Sequence, residues 1–148
     1  MNVNKETLAY IAGLIDSEGC VTLYGTGGQG TAHPMACFAP KLVIEMTSED
    51  LVKWLHSTTG VGSVRRYVPK NLRARIRWRW AVKGREAVSL LRAVIPYLRL
   101  KREHAELLFQ FAATRTVSCK RGLTEDTIVT RKVLVERIRH LNTRGRET

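Results

Sequence analysis

The sequence predicts an α+β domain in which a curved, four-stranded antiparallel sheet carries helices on one face only. Three observations indicate this class. An apolar helical segment, Leu8–Gly19, opens the chain; the segments then follow the order helix, two strands, helix, two strands, helix; and the strand Arg73–Val82 alternates arginine with apolar residues. Successive side chains of a strand lie on opposite faces, so this strand has one basic and one apolar face. Helices therefore cover the apolar face and leave the basic face open.

The first helix is defined by apolar residues at helical spacing, at Leu8, Ile11, Ala12 and Ile15. Asn4 suits the N-cap and Gly19 the C-terminal stop. Gly13 in mid-helix costs about 1 kcal/mol against alanine, which makes sense if another backbone approaches there. Asp16 and Glu18 lie at the end where the helix dipole disfavours acids, which indicates a positive partner.

The remaining elements follow from alternation and turn residues. Strands are predicted at Cys20–Tyr24, Lys41–Met46, Ser63–Val68 and Arg73–Val82, and helices at Glu49–Thr58, Arg85–Leu98, Arg102–Thr114 and Glu125–Leu141. In the second strand Leu42, Ile44 and Met46 face one side, and Lys41 and Glu45 face the other. The glycine-rich stretch Gly25–Pro40 predicts a long hairpin loop.

Composition indicates one soluble domain with a polyanionic partner. The chain has 148 residues, and 25 basic against 13 acidic side chains give a net charge of +12. We assign residues 1–148 to a single domain, with a core over 5–116 and a helical addition over 125–142. No apolar run approaches the roughly 20 residues of a membrane span and no signal peptide is evident, so we expect an intracellular protein without a membrane partner. Three cysteines without a CxxC pair predict free thiols, not a zinc site.

The fourth predicted strand is the strongest sign of nucleic-acid binding. Arginine stands at every second position, at Arg73, Arg75, Arg77 and Arg79. Four like charges in one row repel each other, but facing DNA they are favourable because arginine binds phosphates and guanine edges through paired hydrogen bonds. The segment 65–85 holds nine basic residues and no acidic one. We therefore interpret this face as a nucleic-acid surface.

The run IAGLIDSEG, Ile11–Gly19, resembles the motif of the LAGLIDADG homing endonucleases, with Ser-Glu in place of Ala-Asp. The resemblance extends over roughly residues 8–102 and implies the same αββαββα order. In that family two motif helices pack side by side about a two-fold axis. This chain has one motif, so the resemblance implies a homodimer. The implied interface residues are Leu8, Ile11, Ala12, Gly13, Ile15 and Asp16.

The resemblance also implies the catalytic residues. Glu18 takes the place of the last motif acid, which binds a divalent metal ion beside the DNA, and the backbone carbonyl of Ser17 is a second ligand. Oxygen ligands suit Mg²⁺ or Mn²⁺. Lys101 matches a lysine that follows the third helix and steadies the hydrolytic water, with Arg99 and Arg102 as rivals. Asp16 is expected to support the helix end or the interface rather than the chemistry.

We expect double-stranded DNA to be recognised by the sheet and its loops. The candidate residues are Gln29, Lys41, Glu45, Ser48, Arg65, Arg66, Lys70, Arg73, Arg75, Arg77 and Arg79. The resemblance implies a Mg²⁺-dependent endonuclease, intron-encoded or intein-derived, that cuts both strands of a long pseudo-palindromic site and leaves 3′ overhangs. Two alternatives stay open: an RNA maturase, for which Glu18 is dispensable, and a sequence-specific DNA-binding protein that does not cleave.

Overall fold

A computed structural model describes residues 2–25, 34–71, 73–114 and 123–143. The elements are α1 (Lys5–Glu18), β1 (Gly19–Gly25), β2 (Phe38–Met46), α2 (Glu49–Thr59), β3 (Ser63–Tyr67), β4 (Arg77–Lys83), α3 (Gly84–Val94), α4 (Arg102–Ala113) and α5 (Glu125–Thr143). Short 3₁₀ turns occupy Pro34–Cys37 before β2 and Ile95–Tyr97 after α3. The predicted order and the α+β class are confirmed.

The four strands form one antiparallel sheet in the order β1-β2-β4-β3. Residues that alternate along each strand are buried on one face only. Val21, Leu42, Ile44, Trp80 and Val82 have no exposed surface, and their neighbours in sequence are partly or fully exposed. The helices therefore cover one face, as the alternation predicts, and the other face is open.

The core lies between this sheet and the helices. Trp80 is its largest fully buried side chain, and the indole Nε1 donates a hydrogen bond to the Val61 carbonyl at 3.0 Å. The tryptophan thus buries a large ring while its one polar atom keeps a partner. From α1, Ile11, Ala12 and Ile15 enter the core with no exposed surface.

Both ends of α1 are fixed by particular residues. Asn4 Oδ1 accepts a hydrogen bond from the Thr7 amide at 2.8 Å, which caps the N-terminus as predicted. At the other end Gly19 has φ −80° and ψ 145°, an extended conformation open to any residue. Glycine is required there for space, because a Cβ would lie 2.5 Å from the Ile15 carbonyl oxygen.

Several predicted boundaries shift. β2 begins at Phe38 rather than Lys41, so the long hairpin loop is shorter than predicted, and residues 26–33 of that loop lie outside the described residues. Helix α3 ends at Val94, since Pro96 follows within a 3₁₀ turn. The largest shift concerns β4, which begins at Arg77 instead of Arg73.

The last helix, α5, packs against α4 and β1. Its buried Arg131 donates hydrogen bonds to Thr114 Oγ1 at 2.9 Å and to the Met35 carbonyl at 3.0 Å, and its guanidinium lies over the Phe111 ring. At the far end Asn142 Nδ2 donates to the Val21 carbonyl at 3.2 Å. None of the described helices has the length and apolarity needed to cross a membrane.

Candidate active site and nucleic-acid interface

The carboxyl end of α1 is bound to the start of α4 through Asp16. Its Oδ2 accepts a hydrogen bond from the Arg99 amide at 2.8 Å, and its Oδ1 accepts from the amides of Leu100 at 3.1 Å and Lys101 at 3.0 Å. Amides just before a helix have no partner within it, and a carboxylate also suits the positive end of the α4 dipole. This geometry supports the structural role predicted for Asp16.

The same contact brings Lys101 to the end of the motif. The half-buried Lys101 donates a hydrogen bond from Nζ to the Gly19 carbonyl, one residue beyond Glu18. The rival Arg102 instead donates to the Ile95 carbonyl at 3.1 Å. Of the predicted basic candidates, Lys101 is thus the one with a side-chain hydrogen bond to the motif.

Glu18 and Ser17 are both exposed where α1 ends. No described residue donates a hydrogen bond to the Glu18 carboxylate, so its oxygens are open to an outside ligand. The Ser17 hydroxyl donates back to the Gly13 carbonyl at 3.0 Å within the helix. At this end of α1, then, an open carboxylate lies close in sequence to a carbonyl that binds an ammonium group.

The open face of the sheet, away from the helices, is formed by alternate residues of the four strands. These are Cys20, Thr22 and Tyr24 of β1, Ala39, Lys41, Val43 and Glu45 of β2, Ser63, Arg65 and Tyr67 of β3, and Arg77, Arg79, Ala81 and Lys83 of β4. Glu45 is the one acidic residue among these fourteen positions. The open face is therefore basic, as predicted, but it is not uniform.

Glu45 holds two arginines at one end of the open face. Its Oε2 accepts from Arg79 Nε at 2.7 Å and pairs with Arg79 Nη2 at 2.6 Å, and its Oε1 accepts from Arg77 Nη1 at 3.3 Å. Partial burial raises the pKa of the Glu45 carboxyl, but the hydrogen bonds from the two guanidinium groups outweigh burial and hold that pKa below its ordinary value. Glu45 is therefore charged at neutral pH.

Two lysines form a second basic cluster at the other end of the open face. Lys41 and Lys83 are direct neighbours across β2 and β4, and both Nζ atoms lie over the Tyr24 ring, at 4.9 and 5.5 Å from its centroid. Burial lowers the pKa of Lys41, and the positive charges of Lys83 and Arg79 lower it further. Sequence reasoning missed Tyr24 and Lys83, although continuing the alternation from Arg79 through Ala81 would have found Lys83.

Some predicted DNA contacts lie elsewhere. Arg66 is predicted to lie on the basic face, but it pairs with Trp78 and lies on the helix side, since its neighbour Arg65 is on the open face. Arg73 and Arg75, like Lys70, lie in the exposed connection between β3 and β4. The predicted row of four arginines is thus wrong. Asn71 turns the chain there: its Oδ1 accepts from the Arg73 amide at 3.1 Å and its carbonyl from the Ala74 amide at 3.0 Å.

Two further candidates differ in position. Ser48 is the N-cap of α2, and its Oγ accepts a hydrogen bond from the Leu51 amide at 3.3 Å, so this hydroxyl already has a structural partner. Gln29 lies outside the described residues.

Comparison with known proteins finds matches among solved structures. No protein-family model and no curated sequence matches this chain. Among solved structures, the homing endonuclease I-CvuI in complex with its target, in the presence of Ca, is 19% identical with a TM-score of 0.72, over 92% of this chain and 82% of that one. The archaeal intron-encoded homing endonuclease I-Vdi141I complexed with DNA is 11% identical, also with a TM-score of 0.72, over 92% and 84%.

The LAGLIDADG homing endonuclease I-GzeII in complex with its DNA target is 14% identical, with a TM-score of 0.61, over 93% of this chain and 44% of that one. The chain has the LAGLIDADG homing endonuclease fold. This confirms the fold that the motif Ile11–Gly19 implied. In the LAGLIDADG fold seen here, the motif forms most of α1, and its last acid, Glu18, is the final residue of the helix.

The burial of α1 side chains changes which of the predicted interface residues could contact a second copy. Ile11, Ala12 and Ile15 are fully buried in the core of one protomer, so their side chains have no surface left for a second copy. Leu8 and Asp16 are half-buried, and Gly13 is exposed with open space around the position of a Cβ. Of the six predicted interface residues, these three remain accessible.

Proposed function

We propose that this chain is a metal-dependent endonuclease that cuts both strands of a specific DNA site as a homodimer. The observation that carries the proposal is the hydrogen bond from Lys101 Nζ to the Gly19 carbonyl, beside the exposed Glu18. It joins an ammonium group to the residue after an open carboxylate, where α1 passes into β1 at the margin of a basic sheet. That combination suits hydrolysis of a phosphodiester bond. Structural similarity to I-CvuI in complex with its target supports it.

The donors at the motif end fit a hard divalent cation. The Glu18 carboxylate and the Ser17 carbonyl are both oxygen ligands, which Mg²⁺ and Mn²⁺ prefer. Over residues 2–25, 34–71, 73–114 and 123–143, no three His, Cys, Asp or Glu side chains gather into a metal site, so DNA phosphate, water and the partner would complete the coordination. When bound, such an ion lowers the pKa of a water molecule and offsets charge on the phosphate. Lys101 adds positive charge beside the same phosphate.

The single motif supports a homodimer. The chain spans 44% of I-GzeII, so a second copy is needed to reach a comparable length. A two-fold axis relates identical surfaces, and it would bring two Glu18 carboxylates to the two antiparallel strands of a duplex. The expected product is a double-strand break with 3′ overhangs at a long pseudo-palindromic site. Exposed Gly13 on α1 allows close approach of the partner helix.

The test uses the full-length protein and a randomised pseudo-palindromic duplex library, with Mg²⁺, with Mn²⁺ and with EDTA. Wild type should cut a subset of duplexes only with metal, and sequencing of the ends should show 3′ overhangs. Glu18→Gln should bind the same subset and cut none of it. Glu6→Gln, an exposed acid on the same helix, is the matched control and should cut normally.

Three outcomes would overturn the proposal. Cleavage that survives in Glu18→Gln would remove the assigned catalytic acid. Binding without cleavage by wild type in either metal would identify a DNA-binding protein. Tighter binding to intron RNA than to any duplex would identify a maturase.

A further inference from the structure

An acid on the basic open face is unusual, since DNA is a polyanion. Glu45 is partly buried, with 20% of its side chain exposed, whereas the side chains of Arg77 and Arg79 are 61% and 46% exposed. A surface ion pair of this kind contributes little to stability, so folding alone gives little reason to place an acid there.

The geometry of the pair leaves one edge of Arg79 open. Both of its contacts, Nε at 2.7 Å and Nη2 at 2.6 Å, go to a single oxygen of Glu45, Oε2. A guanidinium has five N–H donors, and no other described residue accepts from Arg79, so the hydrogens on Nη1 and the outer one on Nη2 are left for a ligand. Those two groups form the edge that binds guanine O6 and N7 together.

Glu45 is also the direct cross-strand neighbour of Arg79, whose other neighbour is Arg65 on β3. The carboxylate therefore fixes Arg79 from the β2 side and offsets the repulsion by Arg65 from the β3 side. A phosphate that approached Arg79 or Arg77, even at a free edge, would be repelled by the negative charge of this carboxylate. Guanine, a neutral acceptor, can use the free edge and leave the pair intact.

The lysine cluster at the other end of the open face has the opposite character. Lys41 and Lys83 are like charges placed directly opposite each other, and none of the charged groups that act on Lys41 is a carboxylate of the described residues. No described carboxylate there competes with a phosphate. These ammonium groups suit binding that does not depend on sequence.

We propose that Glu45 is a specificity-determining residue of the DNA-binding sheet: it withholds Arg77 and Arg79 from phosphates and orients Arg79 to read guanine. The lysine cluster supplies sequence-independent affinity. This inference rests on the proposed function only in taking duplex DNA as the ligand; it does not need cleavage.

The experiment measures binding in EDTA, at several salt concentrations, to two labelled duplexes. One is a duplex that wild type selects from a randomised library, and the other has the same composition in shuffled order. Glu45→Gln should bind the shuffled duplex more tightly than wild type, and its salt slope should steepen by about 0.9 for each arginine freed to bind phosphate. Its preference for the selected duplex should fall by about tenfold or more, the discrimination of one bidentate base contact.

Two further variants test the division between the clusters. Lys83→Gln should weaken binding to both duplexes equally and reduce the salt slope by about 0.9. Glu103→Gln removes an acid that pairs with Arg137 on the helix side and should leave the preference between duplexes unchanged. In a background that already carries Arg77→Gln and Arg79→Gln, the change at Glu45 should no longer alter the preference.

An unchanged preference in Glu45→Gln, with thermal unfolding like that of wild type, would overturn the inference. So would an equal loss of preference in Glu103→Gln. Because binding is measured without metal, the preference between duplexes can be measured even if wild type never cleaves. The absence of cleavage would contradict the proposed function alone. A cleaving wild type whose preference ignores Glu45 would contradict the inference alone.

Discussion

At the scale of single residues, the two acids at the end of the motif have different tasks. Asp16 has both carboxylate oxygens bound to backbone amides, whereas Glu18, two residues later, is exposed and open to an outside ligand. Because Asp16 binds the amides of residues 99–101, it positions Lys101, the N-cap of α4, so that the Lys101 ammonium group meets the Gly19 carbonyl.

Replacing Asp16 should therefore destabilise the protein as well as the site. Asp16→Asn loses the charge that three amides share, and its amide nitrogen cannot accept a hydrogen bond. We expect the free energy of unfolding to fall by about 2 kcal/mol. Urea denaturation measures this as a lower midpoint at constant slope. Glu106→Gln, at an exposed position on α4, is the control and should change stability by less than about 0.5 kcal/mol. An Asp16→Asn midpoint equal to that of the control would contradict the structural role.

At the scale of elements, α1 has two faces with separate requirements. Its apolar face enters the core through Ile11 and Ile15, and its exposed face carries Gly13. The next glycine, Gly19, lies against the backbone of Ile15 where α1 ends. Glycine therefore occupies these two positions of the motif for different reasons.

Replacing each glycine by alanine should distinguish the two reasons. Gly13→Ala meets no atom within 4 Å, so it should stabilise the isolated protomer by about 0.5–1 kcal/mol. Gly19→Ala places a Cβ 2.5 Å from a backbone oxygen and should destabilise it by about 1–3 kcal/mol. Denaturation of dilute protein compares the two variants. Sedimentation at higher concentration should show that Gly13→Ala dimerises more weakly; unchanged dimerisation would place the partner on another surface.

Across the whole molecule, the fold gathers part of the net charge of +12 on one surface. Five basic side chains share the open face, and Lys70, Arg73 and Arg75 extend the charge into the β3–β4 connection. One acid, Glu45, interrupts this surface. The open face therefore carries two basic clusters of different character, and the exposed β3–β4 connection adds further charge beyond the arginine end.

This charge distribution predicts a steep salt dependence. The logarithm of the association constant should fall by about 0.9 for each tenfold rise in salt and for each phosphate contacted. Fluorescence anisotropy with a shuffled duplex, from low to physiological salt, measures the slope. Lys5→Gln, on α1 and off the open face, is the control and should leave the slope unchanged. A flat response in wild type would show that the basic face does not bind the DNA backbone.

Much of the fold could be predicted because its signals are local. Alternation in β2 placed Leu42 and Ile44 in the core, and helical spacing placed Ile11 and Ile15 there. The start of β4 could not be predicted in the same way. Arginine alternation continues through Arg73 and Arg75, but the turn at Asn71 and the absence of partner strand residues beyond Tyr67 end the pairing at Arg77.

The sequence alone determined the motif, the order of elements and the basic character of one face, because each depends on residue types and their spacing along the chain. Which charges act together depends instead on how the chain folds. Asp16 with the amides at 99–101, and Glu45 with Arg77 and Arg79, are contacts between residues more than thirty positions apart. Strand register and helix packing create such contacts, and no periodicity in the sequence encodes them.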